Sequence, residues 1–136
     1  MKGIVIFAVM MMTVAGCSSQ VEIRLQYNGA DAAQVTVLGN FYGVSYLMVD
    51  DEVVAAFSHE DFSNNSICRF KMEPGVRVLT IVGVKKCLPL KKDFAVNSHT
   101  FFNLAAKFNG PMYLEEVTEA EFKALLENNR RKGSGN

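Results

Sequence analysis

The chain has 136 residues, 49% of them hydrophobic, and 14 Lys and Arg balance 14 Asp and Glu. That length fits one domain with a real core. The balanced charge excludes nucleic acid as a partner, because a phosphate-binding surface demands a marked basic excess.

Residues 1–16 read as a leader. Lys2 stands before an apolar run from Gly3 to Val14, the charged start and apolar core of a signal peptide. The run falls short of the roughly twenty apolar residues that a membrane-crossing helix needs. It ends in Val14-Ala15-Gly16-Cys17, which resembles the lipobox of bacterial lipoproteins. A plain secretory signal wants small residues at both positions before the cut, and Thr13-Val14-Ala15 does not supply them. The resemblance implies a diacylglycerol on the Cys17 thiol, palmitate-type acyl chains, and cleavage just before that residue. One acyl chain holds a protein marginally, whereas two or three make a lasting anchor. In that family an Asp after the cysteine favours the inner membrane. Ser18 stands there instead, which implies an outer-membrane location, with the periplasmic face expected. Residues 17–20 are then a polar tether.

Strand signals begin at Val21. Val21, Ile23, Leu25 and Tyr27 alternate with Glu22, Arg24 and Gln26, the period of a half-buried strand. Asn28-Gly29-Ala30-Asp31 reads as a turn. A second strand is expected over 34–38, interrupted by Gly39-Asn40. The runs 45–49 and 52–57 meet at Asp50-Asp51 and predict a hairpin. A polar loop spans 59–66, and the run 67–72 alternates again. Pro74-Gly75 predicts a tight hairpin into 76–84, whose near-continuous β-branched residues suggest a central strand. Further strands are expected over 91–96, 100–107 and 112–117.

At Thr118 the period changes. Thr118-Glu119-Ala120-Glu121 is a capping box, and Phe122, Leu125 and Leu126 form one apolar stripe. A helix over 118–132 follows, with Arg130, Arg131 and Lys132 suited to its negative end and 133–136 a frayed tail. The whole predicts an all-β fold: a β-sandwich of about seven or eight short antiparallel strands over 21–117, with one C-terminal helix. A small closed barrel is the rival arrangement.

With Cys17 given to lipid, Cys68 and Cys87 remain as a candidate disulfide in an oxidising compartment. A tight hairpin at Pro74-Gly75 would place Ile81 opposite Cys68 and leave Cys87 about 20 Å along the strand, beyond the reach of a disulfide. A bend at Gly83 would restore the bridge. Lys85-Lys86 and Lys91-Lys92 could face lipid phosphates or guard loops and strand edges. No metal or cofactor signature appears. Only His59-Glu60-Asp61 sets an imidazole beside carboxylates, and with His99 it defines the one enzymatic alternative: a small periplasmic hydrolase or metal-dependent enzyme using His59, Glu60 and His99. Phe101, Phe102 and Phe108, near Leu104, either line an apolar groove or fill the core.

The succession from Tyr46 to Phe57 and that from Phe70 to Leu79 resemble the strand and turn pattern of PEGA-like β-sandwich domains, and of a group of small bacterial lipoproteins built the same way. The match covers roughly residues 34–117. Asp51 replaces the glycine expected after Asp50, and the Gly-Tyr that usually follows the Pro-Gly strand is absent. The resemblance implies a non-catalytic envelope domain that binds or supports an assembly, with an envelope protein as its partner. It carries over no functional residue.

Overall fold

A computed structural model of the chain describes residues 21–57, 66–106 and 108–134, with side chains placed as far as residue 128. The fold is an all-β sandwich with a single C-terminal helix, as the periodicities predict. Among the described residues there are nine strands: β1 (Val21–Ile23), β2 (Ala33–Gly39), β3 (Val44–Val49), β4 (Glu52–Phe57), β5 (Ser66–Met72), β6 (Gly75–Gly83), β7 (Leu90–Phe94), β8 (His99–Ala106) and β9 (Met112–Val117). Helix α1 spans Glu119–Ser134, two residues beyond the expected end.

One sheet has the order β1-β4-β3-β6-β7 and the other β5-β2-β8-β9. All pairs are antiparallel except β2 with β8, which run parallel and match Gln34 with His99. The alternation along β2 explains how one strand serves two cores. Ala33, Val35 and Val37 face the main core between the sheets, where Leu47, Phe70, Leu79, Phe94 and Phe102 also lie. Leu38 faces outward and packs with Phe101 and Phe122 in a second cluster, joined by Leu125 and Leu126. Helix α1 therefore covers the outer face of the second sheet. Its capping box forms as predicted: the Thr118 N–H donates to Glu121 Oε1 at 2.8 Å, and the Glu121 N–H to Thr118 Oγ1 at 3.1 Å.

Two expectations are corrected. The alternation from Val21 to Tyr27 does not make one long strand, because the chain leaves the first sheet after Ile23. Arg24 N–H still donates to the Val54 carbonyl, but Tyr27 N–H donates to Lys71 on β5, and Gln26 Oε1 accepts from the Lys71 N–H. This crossing laces the β1 and β5 edges together. Pro74-Gly75 is likewise no hairpin. β5 pairs with β2 and β6 with β3, so the turn carries the chain between sheets. Arg77 braces it, donating from Nε to the Glu73 carbonyl and from Nη2 to the Pro74 carbonyl.

The Asp50-Asp51 hairpin does form between β3 and β4, with φ of 49° and 72° at its two central residues. Two positive φ values match the twist of paired strands. On the opposite side of the sandwich, Cys87 and Met112 form an isolated bridge, and Lys92 on β7 pairs with Glu116 on β9 at 3.1 Å. Both open sides of the sandwich are thus stitched.

Candidate functional site

The expected site residues divide sharply. Cys17, the lipidation candidate, lies outside the described residues, as do His59 and Glu60. Cys68 and Cys87, the candidate disulfide, are free thiols, both buried. Their separation does not come from the expected hairpin. Cys68 sits on β5, while Cys87 is bridged to β9, and the order β5-β2-β8-β9 puts three strand spacings, about 14 Å, between those strands. A disulfide needs Cα atoms within about 7 Å. Burial pushes the Cys68 thiol up to about 12. Burial also raises Cys87, partly offset by a hydrogen bond from the Ile81 backbone. Neither is poised as a nucleophile, which would need a lowered pKa.

His99 begins β8. Its Nε2 lies 2.9 Å from the hydroxyl of buried Thr36, and its ring stacks on Phe101 with centroids 4.2 Å apart. Phe101 in turn meets Phe122 of α1 at 5.0 Å. His99 is thus exposed at the edge of this cluster, and Phe101 makes the link between sheet and helix. Phe57 and Ser66, which bracket the segment holding His59 and Glu60, lie at the other end of the sandwich, since Ser66 pairs with Gly39 and His99 with Gln34. Among the described residues no group of three or more His, Cys, Asp or Glu could hold a metal ion, and no helix is long and apolar enough to cross a membrane.

The two ends of the sandwich differ in chemistry. The end with the Asp50-Asp51 turn gathers Asp31, Asp50, Asp51 and Glu73, with Leu25, Val76 and Val96 exposed among them. A cleft of about 260 Å³ opens there beside Leu25, Tyr27, Met72 and Arg77. Arg77 is committed to the frame, since its Nη1 donates to Asp50 Oδ2 at 3.0 Å while its other nitrogens hold the Pro74 turn. The Val78 N–H and then Arg77 keep the Asp50 carboxyl below the usual range. Tyr27 donates to Asp31 at 2.9 Å, and that bond raises the phenol. The polar groups of this cleft hold the turns in place.

The opposite end is apolar and basic. Its described loops are 40–43, 84–89 and 108–111, beside the start of β1. Phe41 is fully buried against Phe57 at 4.6 Å, and Phe57 faces Val21 across the β1–β4 pair. The next residue, Tyr42, is 70% exposed, while Val84 is 82%, Leu88 40% and Phe108 94% exposed. Backbone bonds join the loops: Val84 N–H donates to the Gly43 carbonyl, Leu88 N–H to Met112, and Met112 N–H to Lys86. Lys85 and Lys86 are exposed among them.

The three phenylalanines therefore separate, with Phe102 in the main core, Phe101 under the helix and Phe108 in solvent. Periodicity overlooks Tyr42 and Leu88 and takes Val84, which lies just past β6, for the end of that strand. Their only sequence signal is an apolar side chain flanked by Gly, Lys or Pro outside a strand.

No family model, no curated protein and no solved structure matches the chain. Function has to be argued from its own residues.

Proposed function

We propose that this is a lipid-anchored envelope protein whose β-sandwich works by contact, as a binding or assembly module. The observation that carries the reading is Val14-Ala15-Gly16-Cys17 behind a short apolar run, with the first described strand starting at Val21. An anchor with so short a spacer suits a domain that acts at a membrane surface. We propose the outer membrane, periplasmic face, because Ser18 follows the cysteine. A PEGA-like arrangement is part of the same proposal, supported by the Asp50-Asp51 hairpin and by the start of β6 at Gly75.

Among the described residues nothing favours the enzymatic alternative through His59, Glu60 and His99, since the contacts of the His99 ring are Thr36 and Phe101. The test of the leading reading is metabolic labelling with an alkyne fatty acid, followed by membrane fractionation. The wild type should carry label in the outer-membrane fraction, Cys17→Ser should lose it, and Ser18→Asp should move it to the inner membrane. Absence of label from the wild type would sink the proposal. In-cell crosslinking of the lipidated form then reads out the envelope partner.

A further inference from the structure

We infer that the end of the sandwich that carries loops 40–43, 84–89 and 108–111 is a membrane-docking face, seated on the anionic lipid surface that holds the anchor. This rests on the lipoprotein reading and goes beyond it, because an anchor fixes where the chain is attached but not how the domain is oriented. Three observations converge.

The first is reach. Only Ser18, Ser19 and Gln20 separate Cys17 from Val21, so covalent geometry holds the start of β1 within about 14 Å of the lipidated residue. Val21 faces Phe57, Phe57 touches Phe41, and Phe41 belongs to the first loop of the face. Whatever surface holds Cys17 is brought to this end of the domain.

The second is exposed apolar surface. Tyr42, Val84, Leu88 and Phe108 stand in solvent on loops hydrogen-bonded into one platform. Grouped exposed apolar residues mark interaction sites, and aromatic side chains favour the boundary between water and acyl chains.

The third is charge. Among the described residues of the three loops the only ionised side chains are Lys85 and Lys86, which suits an anionic headgroup layer. The far end carries Asp31, Asp50, Asp51 and Glu73, so the domain is polarised along the line from anchor to tip. Lys91 and Lys92 take the other role open to lysines, on edge strand β7, with Lys92 paired to Glu116.

The chain has no tryptophan, so Phe108→Trp installs a single reporter at a position whose exposure leaves folding unaffected. Val96→Trp, in the exposed turn between β7 and β8 at the far end, is the control. Each full-length lipidated protein is reconstituted into phosphatidylcholine vesicles containing phosphatidylglycerol and brominated acyl chains. Intact mass first establishes the lipid on Cys17. Docking predicts bromine quenching and a blue-shifted emission for Phe108→Trp and neither for Val96→Trp. Adding Lys85→Gln and Lys86→Gln should lower the docked-to-undocked ratio about fivefold per lysine, the counterpart of about 1 kcal/mol each near an anionic surface.

Equal quenching of the two tryptophans, or none at Phe108→Trp, on a protein whose mass shows the lipid would overturn docking and leave the anchor standing. A blue shift without quenching would assign the face to protein, a second copy included, and overturn it as well. A mass without lipid on Cys17 removes the anchor reading and docking with it.

Discussion

At the residue scale, burial decides the chemistry more than identity does. Cys68 reads as a candidate half of a disulfide, yet it occupies a core position with its thiol held at about 12, against about 8.5 in an unfolded chain. Below pH 8.5 both states keep the proton and the thiol has no pH-dependent effect. Above it the unfolded chain releases the proton while the folded one retains it, so stability falls with rising pH until about 12. Urea melts at about pH 8 and about pH 10 should show the wild type losing about 2 kcal/mol more between the two than Cys68→Ala does. Equal losses would mean that the thiol ionises without unfolding. His99 is the contrast: it stays exposed at the start of β8, with the Thr36 hydroxyl and the Phe101 ring as its contacts. Neither outcome was legible in the sequence, because burial on a given face depends on partners far along the chain.

At the element scale, local signals were legible and partners were not. The Thr118–Glu121 capping box and the Asp50-Asp51 hairpin involve neighbours only, and both form as their residues predict. Pro74-Gly75 reverses the chain just as surely, but a turn does not say whether the next strand joins the same sheet. Here β5 binds β2 and β6 binds β3, so the motif read as a hairpin is a crossover.

Gly83 shows what such pairing demands. A Cβ there would lie 2.5 Å from the Gly43 carbonyl oxygen and 2.8 Å from Val44 Cα, and backbone cannot step aside as a flexible side chain can. Gly83→Ala should destabilise the fold by about 2 kcal/mol in denaturant melts. It should also loosen loops 40–43 and 84–89 first, read as faster amide exchange at Val84, whose N–H donates to Gly43. An unchanged melt would show that β3 and β6 can separate at that end without penalty.

At the scale of the whole molecule, the fold is a polarised object. Among the described residues, the loops at one end carry exposed apolar side chains and Lys85 and Lys86 beside the first strand, while the other end gathers Asp31, Asp50, Asp51 and Glu73 and is closed by Arg77. One face is covered by α1 through Phe122. The outer face of the first sheet is open, with Val76 and Val82 exposed along β6, which is a central strand as its β-branched run suggests. On the proposed reading the tether acts as a short leash. Inserting about ten Gly and Ser residues between Gln20 and Val21 should leave lipidation intact and lower the docked-to-undocked ratio about sixfold, following the −3/2 power of tether length. Bromine quenching of Phe108→Trp measures it. An unchanged ratio would show that the loops hold the surface without help from the leash.

The parallel pairing of β2 with β8 has a consequence in time. Thr36 and His99 touch across 63 positions of sequence, so β2 is synthesised early and then waits for a neighbour that arrives near the end. Closing so long a loop must precede the contacts that reward it, which places such topologies among slow folders. The second sheet cannot assemble on a half-made chain, and α1, which seals it, comes later still. On the proposed lipoprotein reading, in which the chain threads a membrane before folding, that delay would leave the second sheet unclosed until β8 is out.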